Sequence, residues 1–432
     1  MAQHALKVCV GDSGLEVGTL RFEAQGNREF SSFDYADSWI QNPRGFAIAP
    51  SMPLESNRYF FKKEGDLVSA LPPALSDTTP DSWGRNIIRR DARENRQDTT
   101  PLNELDYLLA VDDFSRLGAL RVKQDADDAP YLAGRPDGRH EIPPLLQISE
   151  IGQSIASLEK RDPMTAAKLK RLRQIGSALG GARPKCSVID TDGSLLIAKF
   201  TSIYDTNNVE RAEVLTLNLA QQCGLTAPSA RLDMSGDLPV ALIRRFDRTS
   251  AGRLPYISAQ TMLEAADANS GTYTQIAEAI RTHSDNPKRD LGELFKRVGF
   301  TILVSNVDDH LKNHGFLYAG NNRWRLSHLF DVNPAPDRHR ELKTAISEIS
   351  GTGASIEALI DHAPFFDLSG DQATEAVNAM ATTISENWES LALRLGMDRE
   401  DIKFYRGAFE HAEMDKALNI CALRIDGTDF EP

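Results

Sequence analysis

Cysteine is scarce and scattered: Cys9, Cys186, Cys223 and Cys421 are the four in 432 residues, and none lies in CxxC spacing. That excludes a disulfide framework or a cysteine zinc site and suits a reducing compartment. Also missing is any apolar run of roughly 18 residues or more, the length a membrane-spanning helix needs. The opening stretch MAQHALKVCVGDSGLEVG has neither the basic start nor the apolar middle of a secretory leader. The expectation is a soluble cytoplasmic protein with no membrane partner. Positive charge is in deficit: 49 Lys and Arg against 62 Asp and Glu leave a formal charge of −13. A domain that binds nucleic acid on its own is usually basic, so DNA contact is expected only through another protein. With 41% hydrophobic residues the chain can build sizeable cores, and its length suits two to three domains of roughly 150 residues.

Alternating apolar runs bounded by turn signals predict a small antiparallel meander over residues 5–35, as ALKVCV, VGTLRFEAQ and REFSSFDY. Asp81 is a candidate N-cap for a helix over DSWGRNIIRRDARE, with Trp83 packed inward and the arginines forming a solvated face. A second helix is expected from Pro101 to Ala110. Asp, Pro and Gly without apolar periodicity mark 123–144 as a linker. Beyond it, helical patterns fill 147–160 and 164–175, and CSVID and LLIAKF read as strands after the Gly-rich GSALGGARPK. NVERAEVLTLNLAQQCGL is an amphipathic helix ending at Gly224, and ARLDM and LPVALIRRF form another strand pair. From Ser258 the pattern is mostly helical, interrupted at 305–335. The expected fold class is α+β and protein-kinase-like, two-lobed, with a mostly helical C-terminal lobe. Its domains are a small mixed N-terminal domain over 1–122 and a kinase-like domain over 145–432, strand-rich to about 250.

The densest chemistry lies between Ser305 and Asp331. Asp308 and Asn313 keep the D-x-x-x-x-N spacing of a kinase catalytic carboxylate and metal-binding amide. Asp331, in FDV, falls where the metal-binding Asp of DFG stands. In this reading Asp308 takes or orients a substrate hydroxyl proton, and Asn313 and Asp331 ligate Mg2+ through hard oxygens. Asp309, four residues from Asn313, is the second candidate base. The competing reading is a turn after the apolar FTILVSNV; His310, Lys312 and FDV tip the balance towards chemistry. His310 and His314 are four apart, as zinc ligands on a helix would be, but without HExxH each reads as structural.

Lys199 closes LLIAK as the lysine of V-A-I-K closes its strand, where its ammonium can grip the α/β-phosphates of ATP. A strand-end lysine reaching to solvent is the plainer alternative. Glu213, fourteen residues on, stands where a kinase keeps the acidic partner of that lysine, or is a solvated helix charge. GSALGGARPK matches neither phosphate-loop pattern, yet its glycines allow close approach of N–H groups to an anion, with Lys185 nearby. A plain flexible turn is its other reading. IRRFDR, residues 243–248, would join the lobes and offer backbone groups to adenine.

GGARPK, LIAKF, RRFDR, NVDDHLKN and LFDV occur in that order in the HipA family of serine/threonine kinase toxins, which this chain resembles over nearly its whole length. VGTLRFE, FDYADSWI, APSMPL and LPPALSDTTPDSWGR resemble that family's N-terminal domain. The resemblance implies ATP with Mg2+, Asp308 as the catalytic Asp, Asn313 and Asp331 as metal ligands, and Lys199 as the nucleotide lysine. It makes Gly180, Gly181, Ala182, Arg183 and Lys185 the phosphate loop and puts Arg245 and Phe246 in the adenine-contacting hinge. His310, Lys312 and Glu213 join the nucleotide set. Family autophosphorylation falls on a loop serine, for which Ser177 is the candidate, although it is displaced by one position; Arg244 replaces an acidic residue of some relatives. The implied partners are a HipB-type helix-turn-helix antitoxin, through which DNA is met indirectly, and a protein substrate such as an aminoacyl-tRNA synthetase. The alternatives are a small-molecule phosphotransferase and a kinase-like corepressor without turnover.

Overall fold

The computed structural model describes residues 2–26, 28–63, 65, 69–95, 101–126, 129–134, 142–176, 181–336 and 340–425. The chain divides into two compact units. The first comprises Met1–Asp205, Asp233–Asp267 and Leu317–Asn322; the second comprises Thr206–Leu232, Ala268–Phe316 and Arg323–Pro432. Among the described residues no helix is long and apolar enough to cross a membrane.

The first unit opens with β1 (Ala2–Val10), β2 (Leu15–Gln25) and β3 (Arg28–Tyr35), extended by β4 (Arg58–Lys62) and β5 (Leu120–Gln124) in the order β4-β3-β2-β1-β5. Alternation sets the buried face: Leu20 and Phe22 of β2 and Phe33 and Tyr35 of β3 point into the core. Gly18 is required by close approach, since a Cβ there would stand 2.3 Å from the Asp34 carbonyl oxygen. The Tyr35 hydroxyl accepts the Ile48 N–H (3.0 Å) and donates to the Met52 carbonyl (2.8 Å), drawing APSMPL against the sheet.

Part of the expected linker, 129–134, lies among the described residues and packs on β5. Leu132 N–H donates to the Val122 carbonyl (2.8 Å), and the Arg121 guanidinium lies 3.3 Å from the Tyr131 ring centroid. Residues 129–134 therefore fold back on β5, held by a cation over an aromatic face. No apolar periodicity in the sequence signals this packing, which rests on one backbone bond, one bridge and one aromatic side chain.

A second sheet has the order β6-β7-β9-β8, from β6 (Lys185–Ile189), β7 (Leu195–Phe200), β8 (Ala230–Ser235) and β9 (Leu238–Arg244). Helices Ile148–Glu159 and Ala166–Gly176 cover it, because Ile148, Ile151, Ile155 and Leu169, Leu172 recur at helical spacing. Trp83 and Ile87, from the helix Ser82–Asn95, are buried in the same core.

The second unit is helical, with Val209–Gln222, Tyr273–His283, Pro287–Leu303, Gly370–Arg394, Arg399–Phe409 and Ala412–Ile425 as its main elements. Thr272 with Gln275, Ser369 with Gln372 and Asp398 with Asp401 form capping boxes that fix where three of these helices begin. Helix Pro287–Leu303 stops at Ser305, whose φ of 55° takes the left-handed conformation that usually ends helices on glycine. Asn306 N–H returns to the Thr301 carbonyl (2.9 Å), and the Ser305 hydroxyl donates to the Ala408 carbonyl (2.9 Å). The chain leaves this stop directly into NVDDH.

His411 makes this unit acid-sensitive. Its Nε2–H donates to the Leu303 carbonyl (3.1 Å) while Nδ1 accepts the Met414 N–H (3.2 Å), and the second bond needs the neutral ring. Burial, followed by the Arg340 charge, pushes its pKa down to about 4. The unfolded histidine, near 6.5, protonates first, so this stabilisation is complete above roughly pH 6.5 and is lost as the pH falls towards 4. Denaturant titrations across that range should lose up to about 3 kcal/mol that His411→Gln does not lose; parallel pH profiles would assign the loss elsewhere.

Candidate active site

Two groups of side chains carry the expected chemistry, one in each unit. In the first, Ser177 and Gly180 lie outside the described residues, and the expected phosphate loop is described from Gly181. Gly181 has a φ of +91°, and a Cβ there would stand 2.5 Å from the Lys185 Nζ. The positive φ favours glycine, whereas the lysine end could swing aside from a Cβ. Ala182 is exposed, and Arg183 is ion-paired with Asp205. Lys185 and Lys199 are direct partners across the β6–β7 ladder, and both are buried. Directly opposed residues send their side chains to the same face of a sheet.

The segment PDSWGR, read from the sequence as a capped structural helix, supports this loop. Asp81 Oδ2 accepts the Gly181 N–H (2.9 Å), and Trp83 N–H donates to the Gly181 carbonyl (3.2 Å). The Trp83 indole N–H donates to the Lys185 carbonyl (2.9 Å).

The hinge expectation needs correction for one side chain. The Arg245 guanidinium is committed elsewhere: it bonds Asp247 Oδ1 (2.8 Å) and Oδ2 (2.6 Å), and the carbonyls of Ser115 (2.5 Å) and Arg116 (3.3 Å). Asp247 also accepts the Gly118 N–H (2.7 Å) and pairs with Arg248 (2.7 Å). FDR is thus a buried ionic clasp onto the 115–118 loop, and the Arg245 side chain is withdrawn from any ligand. Phe246 lies beside Tyr256, ring centroids 6.3 Å apart, and Arg244 is exposed 3.4 Å from Asp192.

In the second unit the two adjacent aspartates have opposite surroundings. Asp309 is 3% exposed, and its Oδ2 accepts from the Tyr273 hydroxyl (2.6 Å) and lies 3.1 Å from His314 Nε2. Burial alone would raise its carboxyl pKa; the facing His314, together with the Tyr273 bond, outweighs that and holds it below the usual carboxylate range. The Asp309 carboxylate is therefore committed to Tyr273 and His314. His314 takes the structural part expected of it. Asp308 is exposed. Asn313 Nδ2–H donates to the Asp308 carbonyl (3.2 Å), which fixes the amide by its nitrogen end and gives its oxygen the acceptor role. His310 and Lys312 flank this pair, half-buried and exposed respectively.

Asp331 has a φ of 57°, and the Asn333 amide donates to its Oδ1 (3.4 Å). Asn333 N–H in turn donates to Asn306 Oδ1 (3.3 Å). The Thr216 hydroxyl donates to the Val332 carbonyl (2.6 Å), tying the helix that bears the buried Glu213 to the residue after Asp331. Sequence reasoning missed Tyr273, Thr216, Asn306 and Asn333. Only Asn306, beside the acidic motif, offered a local signal. An amide oxygen and a carboxylate are each hard-oxygen donors of the kind that suits Mg2+.

Comparison with known proteins gives these groups a family. Residues 177–404 match the model of the HipA-like C-terminal domain, and residues 6–123 match that of the HipA N-terminal domain. A Haemophilus influenzae protein named "Putative kinase" is 24% identical over 199 residues, covering 39% of this chain and 57% of that one. The chain thus spans little more than half the length of this curated relative. A chain from the solved complex of the Shewanella oneidensis MR-1 toxin–antitoxin system HipA, HipB and its operator DNA superposes with a TM-score of 0.69 at 15% identity. The alignment covers 99% of this chain and 100% of that one. That likeness establishes the fold, α+β and protein-kinase-like. Because the C-terminal model alone matches more than half of the sequence, the chain belongs to the HipA family.

Proposed function

We propose that this protein is an ATP- and Mg2+-dependent serine/threonine protein kinase, the toxin of a toxin–antitoxin pair. The observation that carries the reading is the division of labour in DDHLKN: buried Asp309 holds the loop, and exposed Asp308 stands beside an amide already oriented by its own carbonyl. Lys185 and Lys199 hold the polyphosphate, with Gly181 allowing close approach. Asn313 and Asp331 hold the metal. Magnesium, when bound, neutralises phosphate charge. Asp308 orients the substrate hydroxyl and receives its proton as the oxygen–phosphorus bond to the acceptor forms and that to ADP breaks.

The HipB-containing neighbour supports a HipB-type antitoxin as partner, and the net charge of −13 favours meeting DNA through it. The substrate proposed is a protein of translation, such as an aminoacyl-tRNA synthetase. Incubation with γ-labelled ATP, Mg2+ and host lysate should label serine or threonine of a protein. Label confined to small metabolites would support a small-molecule phosphotransferase, and absence of turnover a corepressor. Asp331→Ala should weaken Mg2+-dependent ATP binding by at least about tenfold, as loss of a charged ligand costs more than roughly 1.4 kcal/mol. Calorimetry checks it, and wild-type affinity in that variant would remove Asp331 from the site.

A further inference from the structure

The glycine-rich loop is flanked on both sides by one helix of the other family domain. On the entry side, Arg173 pairs with Asp91 (2.6 Å), and a Cβ on Gly176 would stand 3.0 Å from Ile87 Cδ1. On the exit side stand the three hydrogen bonds from Asp81 and Trp83 to Gly181 and Lys185. Asp91, Ile87, Trp83 and Asp81 all lie on or immediately before the helix Ser82–Asn95, and Trp83 and Ile87 are buried in the core beneath β6. Arg85, one turn on, is locked by paired bonds to Glu104 (2.9 and 2.8 Å), so the helix itself has little freedom to shift.

We infer that Asp81 and Trp83 are positioning residues for nucleotide binding: the N-terminal domain sets the conformation of the loop that receives the phosphates. The inference rests on the nucleotide reading above. Its physical basis is that a loop held by a carboxylate–amide bond and two carbonyl bonds loses less conformational freedom when a ligand arrives. Asp81 touches no reacting atom; it acts through the Gly181 amide. A carboxylate there could in principle compete with phosphate for that amide, and the sign of the mutant effect separates the two cases.

The test compares wild type, Asp81→Ala, Asp81→Asn and Trp83→Phe in the full chain. It uses hydrogen exchange of a peptide spanning 181–186 without nucleotide, and KM for ATP against kcat. Asp81→Ala should speed exchange in that peptide and raise KM on the order of tenfold with kcat within about twofold, since one charge-assisted bond is lost. Asn keeps an acceptor oxygen, so Asp81→Asn should restore most of the affinity. Trp83→Phe keeps the ring and should speed exchange at Lys185. Unchanged exchange in Asp81→Ala overturns the anchor whatever the ligand. Faster exchange with unchanged or tighter ATP binding overturns the positioning role. Failure of wild type to bind ATP overturns the kinase reading and the nucleotide role with it, and the exchange data still report on the anchor. If Asp81→Ala does not fold, Asp81→Asn and Trp83→Phe carry the same comparison.

Discussion

Asp308→Asn is expected to cut phosphoryl transfer from ATP by about 10²- to 10⁴-fold, the range of a lost general base, with ATP affinity nearly unchanged. In the proposed site the base and the loop anchor are different side chains. Asp308 is exposed, and the loop bond from Asn313 uses its carbonyl, which the substitution keeps. The burden of holding the loop falls on Asp309, through Tyr273 and His314. The variant should melt with wild-type cooperativity and bind Mg·ATP in calorimetry while labelling no protein. Mass spectrometry of host proteins after brief expression of each form would then name the substrate. Substantial phosphorylation by the variant would reject Asp308 as the base.

Asp247→Ala is expected to destabilise the first unit by about 3–5 kcal/mol, the cost of leaving buried charge without its partner. Burial alone would raise the Asp247 carboxyl pKa; the Arg245 and Arg248 guanidiniums and the Gly118 N–H reverse that and hold it far below the usual range. A carboxyl so depressed contributes stability that is present above the unfolded value near 3.9 and disappears only as the pH falls well below it. Removing it leaves Arg245, 2% exposed, in contact only with carbonyl oxygens. Denaturant unfolding of the two proteins at neutral pH measures the difference, and a loss below about 1 kcal/mol would mean that water reaches the clasp. Within RRFDR the clasp engages the side chains of Arg245, Asp247 and Arg248 with the 115–118 segment and leaves the backbone expectation for this stretch untouched.

What could be read in advance follows sequence distance. The meander β1–β3 was legible because alternation and turn residues are local, and so was the helix Ser82–Asn95. Asp308 and Asn313 were legible as a pair because their spacing spans six positions. Spacing to Asn313 also ranked Asp308 above Asp309; what was not legible is the bond that buries Asp309 against Tyr273, 36 residues away. Arg245 bonds a carbonyl 130 residues distant, and Asp81 an amide 100 residues distant. No periodicity encodes such contacts. The packing of 129–134 on β5 was not legible either, since composition carries no sign of the Arg121–Tyr131 contact or the Leu132–Val122 bond.

At Asp331 the chain path and the carboxylate are separable demands. A φ of 57° is a conformation that glycine adopts freely and that Asp and Asn tolerate, whereas alanine meets a steric penalty of roughly 1 kcal/mol there. Alanine therefore inflicts two lesions, a missing ligand and a resisted turn, and glycine only the first. A lineage could lose the ligand through a single change to glycine and still keep its chain intact, surviving as a silent scaffold.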